Sequence, residues 1–230
     1  MATVSYSNTV IISMSDNNHC LTMQRILDSA EHLFAENGYR GTSLRMITSE
    51  AKVNLAAVNY HFGSKEELAR QIFERKMVPL NRIRIENIER VLSESWENGQ
   101  QPTVKTIMQA FIEPAFEMML GDQRKSFIAL IVRSMAVTDS TLNCLFMESV
   151  QTVLKVLHEA LCRALPDKDP QEVLFKLIAA MTTMGGMLMR ISSDTAFRLP
   201  VGQRVKDDLR QWAINEDNLI KFITAGMEAE

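Results

Sequence analysis

The densest group of basic and polar side chains lies between residues 38 and 65. This segment holds four cations and one acid, Glu50, a balance of 4 − 1 = +3, whereas the whole chain has 25 basic and 28 acidic residues and a net charge of −3. The four cations are Arg40, Arg45, Lys52 and Lys65. A local positive excess on an acidic protein indicates one anionic partner at one place. Charge alone leaves open that these are only solvated side chains near helix ends.

Two features favour nucleic acid as that partner. The first is a short predicted helix rich in hydrogen-bonding groups, which are Asn54, Asn59, Tyr60 and His61, followed by Ser64 and Lys65. Its small residues, Ala56 and Ala57, allow the helix backbone to approach a groove or a phosphate closely. The second is Arg45, early on the preceding helix, from which a guanidinium can reach the O6/N7 edge of guanine or a phosphate.

The elements around these residues are predicted to be short helices. An apolar stripe at helical spacing marks the first helix and consists of Ile26, Leu27, Ala30, Leu33 and Phe34. Asn37-Gly38 ends it, because glycine tolerates the left-handed cap. Leu44 to Ala51 follows with Thr42 or Ser43 as N-cap, and Asn54 caps a third helix from Leu55 to about His61. Two short helices joined by a tight turn predict a helix-turn-helix.

Longer helices are predicted from Ser64 to the C-terminus. Ser64 to Glu67 is a capping box, and the helix it opens carries Pro79, which should kink it or split it in two. Its later stripe is Ile83, Ile88, Val91, Leu92 and Trp96. Further helices are expected over about 102–119, 123–136, 140–165 and 171–192, with a last one after residue 203. No segment alternates with period two, so we predict an all-α fold of about nine helices.

Three segments are similar to the DNA-binding domain of tetracycline-repressor-type (TetR family) regulators. They are Thr42–Thr48, Ala51–Asn54 and Ala57–Leu68. The helix ending in Leu33–Tyr39 matches as well, so the resemblance covers about residues 22–70, and elsewhere only length and helical pattern agree. It implies an N-terminal three-helix DNA-binding domain and a larger helical ligand-binding and dimerisation domain. The expected function is a repressor that binds a palindromic operator on double-stranded DNA as a homodimer and responds to a small apolar effector.

The resemblance also implies roles for individual positions. Leu55, Ala56, Ala57, Asn59 and Tyr60 fall on the recognition helix, His61 and Lys65 at phosphate contacts, and Arg45 at a base-reading position. The full set of predicted DNA contacts is Thr42, Ser43, Arg45, Asn54, Leu55, Ala56, Ala57, Asn59, Tyr60, His61 and Lys65. For Tyr60, packing against the fourth helix is an equal alternative. The core of the small domain is expected at Ile47, Ala51, Val53, Val58 and Phe62.

Two positions depart from the family pattern. Lys52 stands where glycine is common, so a side chain must fit a turn that can be left-handed. Asn59 stands where tyrosine is frequent, and because asparagine can hydrogen-bond adenine bidentately, the preferred half-site can differ.

The second part of the chain is rich in flexible apolar side chains, which suit an irregular apolar ligand. The predicted ligand contacts are Met108, Phe111, Phe116, Met119, Phe127, Arg133 and Met147. Arg133, Arg124 or Lys125 could pair with an anionic head group, and Pro114 could open the helix locally. An ordinary core is the alternative. Asn54–Lys65 and the tail Phe222–Met227 resemble a subgroup that senses long-chain fatty acids or their CoA esters.

The last two helices are expected to form the dimer interface. Small residues in the eighth helix permit close helix approach, and a glycine inside a helix indicates a packing reason. The predicted interface residues are Ala179, Gly185, Gly186, Trp212, Leu219 and Phe222. Pairing with the symmetry mates would make a four-helix bundle.

The predicted organisation is a mobile, aperiodic arm over residues 1–20, a DNA-binding domain over 21–67 and a ligand-binding domain over 68–230. Met14 or Met23 could equally be the start codon. With 46% apolar and 23% charged residues, the chain is not disordered as a whole. Its longest uncharged apolar run, Leu177–Met189, is too short for a membrane span.

Other function classes find little support. The three cysteines are widely spaced, so we expect no disulfide, no metal site and a reducing, cytoplasmic location. We also expect no cofactor and no membrane partner. No catalytic motif is recognisable, so an enzyme is not expected. An apolar-ligand carrier or sensor that acts without DNA is the alternative function.

Overall fold

The computed structural model describes residues 7–119, 124–135, 140–192 and 215–229, and the side chains within 19–118, 126–135, 140–187 and 215–229. All regular structure in these ranges is α-helical, as predicted. The nine helices found there are α1 Ser7–Gly41, α2 Leu44–Ala51, α3 Leu55–Phe62, α4 Lys65–Glu97, α5 Val104–Met119, α6 Arg124–Met135, α7 Ser140–Ala164, α8 Pro170–Ser192 and α9 Glu216–Glu228. Two compact units are present, Met1–Ile72 and Phe73–Glu230, and the division between them falls within α4.

The first helix is longer than the sequence predicted. It begins at Ser7 rather than near residue 22, so the segment expected to be aperiodic is helical from Ser7 onward. The predicted apolar stripe is confirmed, because Ile26, Ala30 and Phe34 are fully buried. Gly38 has a φ of 74° and a ψ of 171°, which interrupts the helical geometry where the sequence placed a glycine cap.

Local hydrogen bonds fix the start and end of α2. Ser43 is the N-cap, and its hydroxyl accepts from the backbone N–H of Met46 at 3.2 Å. The helix ends at Lys52, which has a left-handed backbone with a φ of 54° and a ψ of 48°. The next residue, Val53, donates its N–H to the carbonyl of Thr48 at 3.0 Å. The predicted left-handed turn at Lys52 is therefore confirmed.

The same local devices define α3. The Asn54 side chain accepts from the N–H of Ala57 at 2.8 Å, and Gly63 ends the helix with a φ of 69°. Val58 and Phe62 point inward and are 1% and 4% exposed. Ile47 and Ala51 are buried as well, which confirms the predicted core apart from Val53, which is only partly buried.

The fourth helix runs without a break from Lys65 to Glu97, so Pro79 does not split it. Its start is capped by Ser64, whose hydroxyl accepts from the N–H of Glu67 at 3.0 Å. The predicted stripe beyond Pro79 is wrong at both ends, since Ile83 is 43% and Trp96 is 85% exposed. The buried face in this part of the helix includes Met77, Leu80, Asn81, Arg84 and Ile88, at helical spacing.

The second unit is a helical bundle in which α6 packs against α7 and α8, and α9 packs against α5 and α8. Its fully buried side chains include Ile107, Met108 and Ile112 of α5, Leu130 of α6, Leu142 and Leu157 of α7 and Val173 of α8. The C-terminal end of α9 is held by α8 and the turn before it, because Lys168 and Lys176 both donate to the carbonyl of Ala229. Glu172 lies 3.3 Å and 2.8 Å from these two ammonium groups.

Among the residues described, no single helix combines the length and the apolar character of a membrane span. The bent pair Ser126–Met135 and Ser140–Ala164 meets the criterion only when both helices are counted together.

Candidate nucleic-acid interface and ligand cavity

All but one of the predicted DNA contacts reach the surface of the N-terminal unit. Ser43, Arg45, Asn54, Leu55, Ala56, Asn59 and Tyr60 are exposed, while Ala57, His61 and Lys65 are partly buried. The exposed surface therefore includes the N-caps of α2 and α3, which are Ser43 and Asn54, the alanine Ala56 and several side-chain donors. Tyr60 is 78% exposed, so it is not buried against α4.

Thr42 is the exception, and its predicted contact with DNA does not fit the structure. It is only 1% exposed, and its hydroxyl donates to the carbonyls of Leu33 at 3.0 Å and Gly38 at 2.9 Å. These bonds tie the residue before the α2 cap to the end of α1. The side chain therefore stabilises the unit from inside.

Large apolar side chains are exposed on the same two short helices. Met46 on α2 is 38% exposed and Leu55 on α3 is 42% exposed. Sequence analysis identified Leu55 but missed Met46, which occupies the helix face beside Arg45. Apolar side chains among hydrogen-bonding groups suit the major groove, where they can contact thymine methyl groups.

Three aromatic rings cluster at the C-terminal end of α3. The ring of His19, from α1, lies 4.3 Å from the ring of His61 and 5.7 Å from that of Tyr60, between centroids. Burial and the neighbouring His19 lower the pKa of His61. The neutral form of His61 is therefore favoured in the free protein, and a neutral ring can offer a phosphate a hydrogen bond. Nothing in the sequence pattern indicated His19, because the segment before residue 21 has no recognisable stripe.

Lys65 begins α4 and is positioned by an aromatic ring. Its ammonium lies 4.1 Å from the centroid of Tyr39, a cation–π contact that restricts where the charge can go. The acid of the basic segment, Glu50, lies 3.0 Å from the Nδ1 atom of His32.

The second unit contains a cavity of about 440 Å³, lined by residues of α4 to α8. This volume is typical of sites for small organic ligands. Six methionines line it, which are Met77, Met118, Met135, Met147, Met181 and Met184. Because methionine side chains adapt to irregular shapes, such a wall suits a flexible apolar ligand.

The predicted ligand contacts divide into two groups. Phe111, Phe116 and Met147 line the cavity. Met108 and Phe127 do not line it and are buried in the surrounding core, at 0% and 2% exposure. Arg133 is also absent from the cavity wall, and the side chain of Met119 lies outside the residues described.

One polar residue of the wall, Arg84, was missed by sequence analysis. It is 4% exposed, and its Nε donates to the carbonyl of Phe111 at 2.8 Å. Its Nη1 donates to Asn81 Oδ1 at 3.3 Å, and its guanidinium carbon lies 4.0 Å from the centroid of the Phe111 ring. Burial lowers the pKa of Arg84 to about 9, so it remains a cation at neutral pH. Its spacing was the available signal in the sequence, because Arg84 lies four positions from both Leu80 and Ile88 and therefore on the same face of the helix.

The residues predicted for the dimer interface also fall into two groups, exposed and buried. Ala179, Gly186 and Phe222 are exposed, Phe222 at 63%. Gly185 and Leu219 are buried within their own chain, which does not support a role at the dimer interface. A Cβ at Gly185 would lie 2.5 Å from Cε of Met135, which gives this glycine a packing reason inside the unit. Trp212 lies outside the residues described.

Three large apolar residues of α8 were not identified from the sequence. Leu174, Phe175 and Ile178 are 44%, 70% and 57% exposed, on the same helix as Ala179 and Gly186. Phe222 of α9 is also exposed, and these four side chains are here called the α8–α9 face.

Comparison with known proteins gives matches to both units. A family model described as bacterial regulatory proteins, tetR family, matches residues 26–72, and one described as tetracyclin repressor-like, C-terminal domain, matches residues 109–226. The biofilm operon icaADBC negative transcriptional regulator IcaR of Staphylococcus epidermidis is 40% identical over 50 residues, which are 22% of this chain and 27% of IcaR. The chain thus matches less than a third of the length of such curated relatives.

Two solved structures share the fold over most of both chains. The fatty acid degradation regulator FadR from Bacillus halodurans has a TM-score of 0.57 and 16% identity, covering 91% of this chain and 97% of FadR. The SmeT–triclosan complex has a TM-score of 0.57 and 22% identity, covering 89% of this chain and 90% of SmeT.

Proposed function

Because the chain belongs to the TetR family of bacterial regulatory proteins, we propose that it is a cytoplasmic, ligand-responsive transcriptional repressor. It binds a palindromic operator as a homodimer, and a small apolar effector changes its DNA affinity. The observation that carries this proposal is the surface of α2 and α3, where capped helix starts, exposed donors and exposed apolar side chains occur together. This combination matches what a recognition helix needs in the major groove.

Each group on this surface has a role in the proposal. Arg45 and Asn59 are exposed donors that can read base edges. Lys65 and His61 contact phosphates, which orient the protein on the duplex without reading sequence. Met46 and Leu55 provide apolar contacts.

A dimer is proposed through the α8–α9 face. Large apolar side chains at this exposure are typical of an interface, and the small residues Ala179 and Gly186 permit close helix approach. Two-fold pairing would place two recognition helices about one DNA turn apart, as a palindromic operator requires. Replacing Phe175 with glutamate should shift the sedimentation velocity from dimer to monomer, whereas the same change at the exposed Arg82 should not.

The methionine-lined cavity supports the effector part of the proposal. FadR is described as a regulator of fatty acid degradation, and SmeT as a complex with triclosan, an apolar molecule. A fatty-acyl effector is the proposed class for this chain. Binding would act through α4, which contributes Leu68 and Ile72 to the core of the first unit and Met77 and Leu80 to the cavity wall. The effector must bind more tightly to the form that cannot hold DNA.

DNA binding can be tested without knowing the operator. The purified protein is incubated with duplex from upstream of its own gene and with a random duplex pool, and bound DNA is sequenced. We expect enrichment of an inverted repeat. A variant with Arg45→Ala and Lys65→Ala should enrich none, while Arg82→Ala, outside the proposed DNA-binding surface, should behave as the wild type. Failure of the wild type to enrich any sequence at low salt would contradict the repressor and favour a carrier.

A further inference from the structure

The charge of Arg84 is the feature of the cavity that an apolar ligand alone does not explain. We propose that Arg84 binds the carboxylate of the effector, so that the cavity takes an apolar free acid rather than its CoA thioester or the corresponding alcohol. This inference rests on the proposed function, because it specifies the ligand class of the same cavity.

Arg84 meets only neutral acceptors among the residues described. Its guanidinium offers five N–H donors, and the two hydrogen bonds that the structure shows go to a backbone carbonyl and to the side-chain oxygen of Asn81. Among the described residues that line the cavity there is no aspartate or glutamate. Keeping an uncompensated cation in such surroundings is unfavourable, and a ligand carboxylate would supply the missing counter-charge.

The other polar residues of the wall are already satisfied or exposed. Asn143 donates to the carbonyl of Ser134 at 2.9 Å, and Thr182 donates to the carbonyl of Ile178 at 2.8 Å. His158 lies 2.9 Å from the carbonyl oxygen of Pro170. Lys155 has a side chain that is 78% exposed, 4.0 Å from Glu159. Arg84 is therefore the buried charge available to a ligand inside this cavity.

The guanidinium is also held in place before any ligand arrives. Its Nε is fixed by the Phe111 carbonyl, and one face of the group rests on the Phe111 ring. Asn81, which receives the Nη1 hydrogen bond, itself donates to the carbonyl of Ser149 at 2.7 Å. A preorganised fork loses little freedom when it binds a carboxylate, which favours specific recognition.

The exposure of the wall gives the orientation of the ligand. In the single chain, Met147, Leu174 and Ile178 are each more than two-fifths exposed, which places the opening of the cavity at α7 and α8. Leu174 and Ile178 also belong to the proposed dimer face, so in the dimer the partner subunit would border this opening. Arg84 lies on α4 and is 4% exposed. The carboxylate would bind at Arg84 with the hydrocarbon chain along the methionines. A CoA group is too large and too polar for this buried position, and an alcohol lacks the charge.

The test is a set of calorimetric titrations of the full-length protein with oleate, oleyl alcohol and oleoyl-CoA. The wild type should bind oleate at least about tenfold more tightly than either of the other two, because charge-assisted hydrogen bonds are worth more than neutral ones. Arg84→Gln should weaken oleate binding by about 10- to 100-fold and leave oleyl alcohol nearly unchanged. Arg82→Gln, on the same helix with a side chain that is 73% exposed, is the matched control and should change neither.

Equal wild-type affinity for oleate and oleyl alcohol would overturn the role of Arg84 and leave an apolar effector standing. So would an equal loss of both ligands in Arg84→Gln, because the residue would then only support the fold. If the wild type bound DNA but none of the three probes, the effector part of the proposed function would fail as well. The wild-type comparison needs no variant, so the proposal stays testable even if Arg84→Gln unfolds.

Discussion

At the scale of single residues, Arg45 and Lys65 are both cations of the N-terminal unit, but their surroundings predict different roles. Arg45 is exposed on α2 beside Met46, whereas the Lys65 ammonium is held against the Tyr39 ring. A free guanidinium fork suits a base edge, and a positioned point charge suits a phosphate.

Arg45→Ala should weaken operator binding by about 1–3 kcal/mol, and this loss should depend on particular base pairs. A bidentate contact contributes only when the base that it recognises is present at its position. Binding to a panel of single-base operator variants, measured by fluorescence anisotropy, gives the pattern. Uniform weakening across the panel would show that Arg45 contacts phosphate instead.

Lys65→Ala should weaken binding to all duplexes alike and reduce the slope of log K against log salt by about one unit. The measurement is a salt titration of specific and random DNA, with Lys155→Ala in the second unit as the control. An unchanged slope would exclude Lys65 as a phosphate contact.

His61 predicts a pH dependence of DNA affinity. Its pKa in the free protein is lowered by burial and by His19, whereas a nearby phosphate favours the protonated ring, so binding DNA takes up a proton. Affinity should therefore rise as pH falls below the ordinary histidine pKa of about 6.5. Anisotropy titrations at a series of pH values should show this rise in the wild type and a smaller one in His61→Gln. Identical pH profiles would rule the contact out.

The sequence predicted the caps and most of the exposed positions of α2 and α3 because both depend on neighbours within a few residues. Ser43, Asn54 and Ser64 each accept from the N–H three positions later, as their residue types indicated. Thr42 could not be assigned this way, because its partner carbonyls belong to the end of α1.

At the scale of elements, periodicity predicted helices well where one face is uniformly apolar and less well elsewhere. The start of α1 was misplaced because residues 7–20 have no stripe that marks a buried face. In α4 the buried face includes Arg84, and a pattern that treats charge as outward-facing selects Ile83 instead. A buried cation can be recognised only when the surrounding helices are known.

The adjacent glycines of α8 give a prediction at this scale. A Cβ at Gly185 would displace Met135, which lines the cavity, whereas a Cβ at Gly186 meets nothing within 4 Å. Gly185→Ala should therefore push Met135 toward the cavity and weaken ligand binding, while stability changes little because the helix gains about 1 kcal/mol of propensity that offsets the displacement.

The matched control is Gly186→Ala, which should keep the ligand affinity of the wild type. Calorimetric titration with oleate and thermal unfolding of both variants provide the comparison. Unchanged oleate affinity in Gly185→Ala would show that Met135 does not limit the cavity.

At the scale of the whole molecule, the two units differ in how much of their function can be predicted from sequence. The DNA-binding unit resembles relatives at 40% identity over short stretches, whereas the complete chain resembles solved structures at 16% and 22%. A DNA duplex presents the same backbone geometry to every protein that binds it. The helix caps and the residue spacing of a DNA-binding domain are therefore enough to identify it from sequence. An effector cavity has no such fixed template.

The residues predicted to contact a ligand show the consequence. Phe111 and Met108 both lie on α5 and were both predicted to contact the ligand, yet of the two only Phe111 lines the cavity. Which of two buried neighbours faces the empty space depends on how α4 to α8 pack together, and no single-helix pattern contains that information.

The most direct test of the account is the dissociation constant of the protein for its enriched operator at increasing oleate concentration. The account predicts that saturating oleate raises this Kd by about five- to 150-fold, the usual range of coupling between two sites. Arg84→Gln should need far more oleate for the same effect, and Arg82→Gln should not. A Kd that stays constant or falls at saturating oleate and at saturating oleoyl-CoA would contradict a repressor released by a fatty-acyl effector.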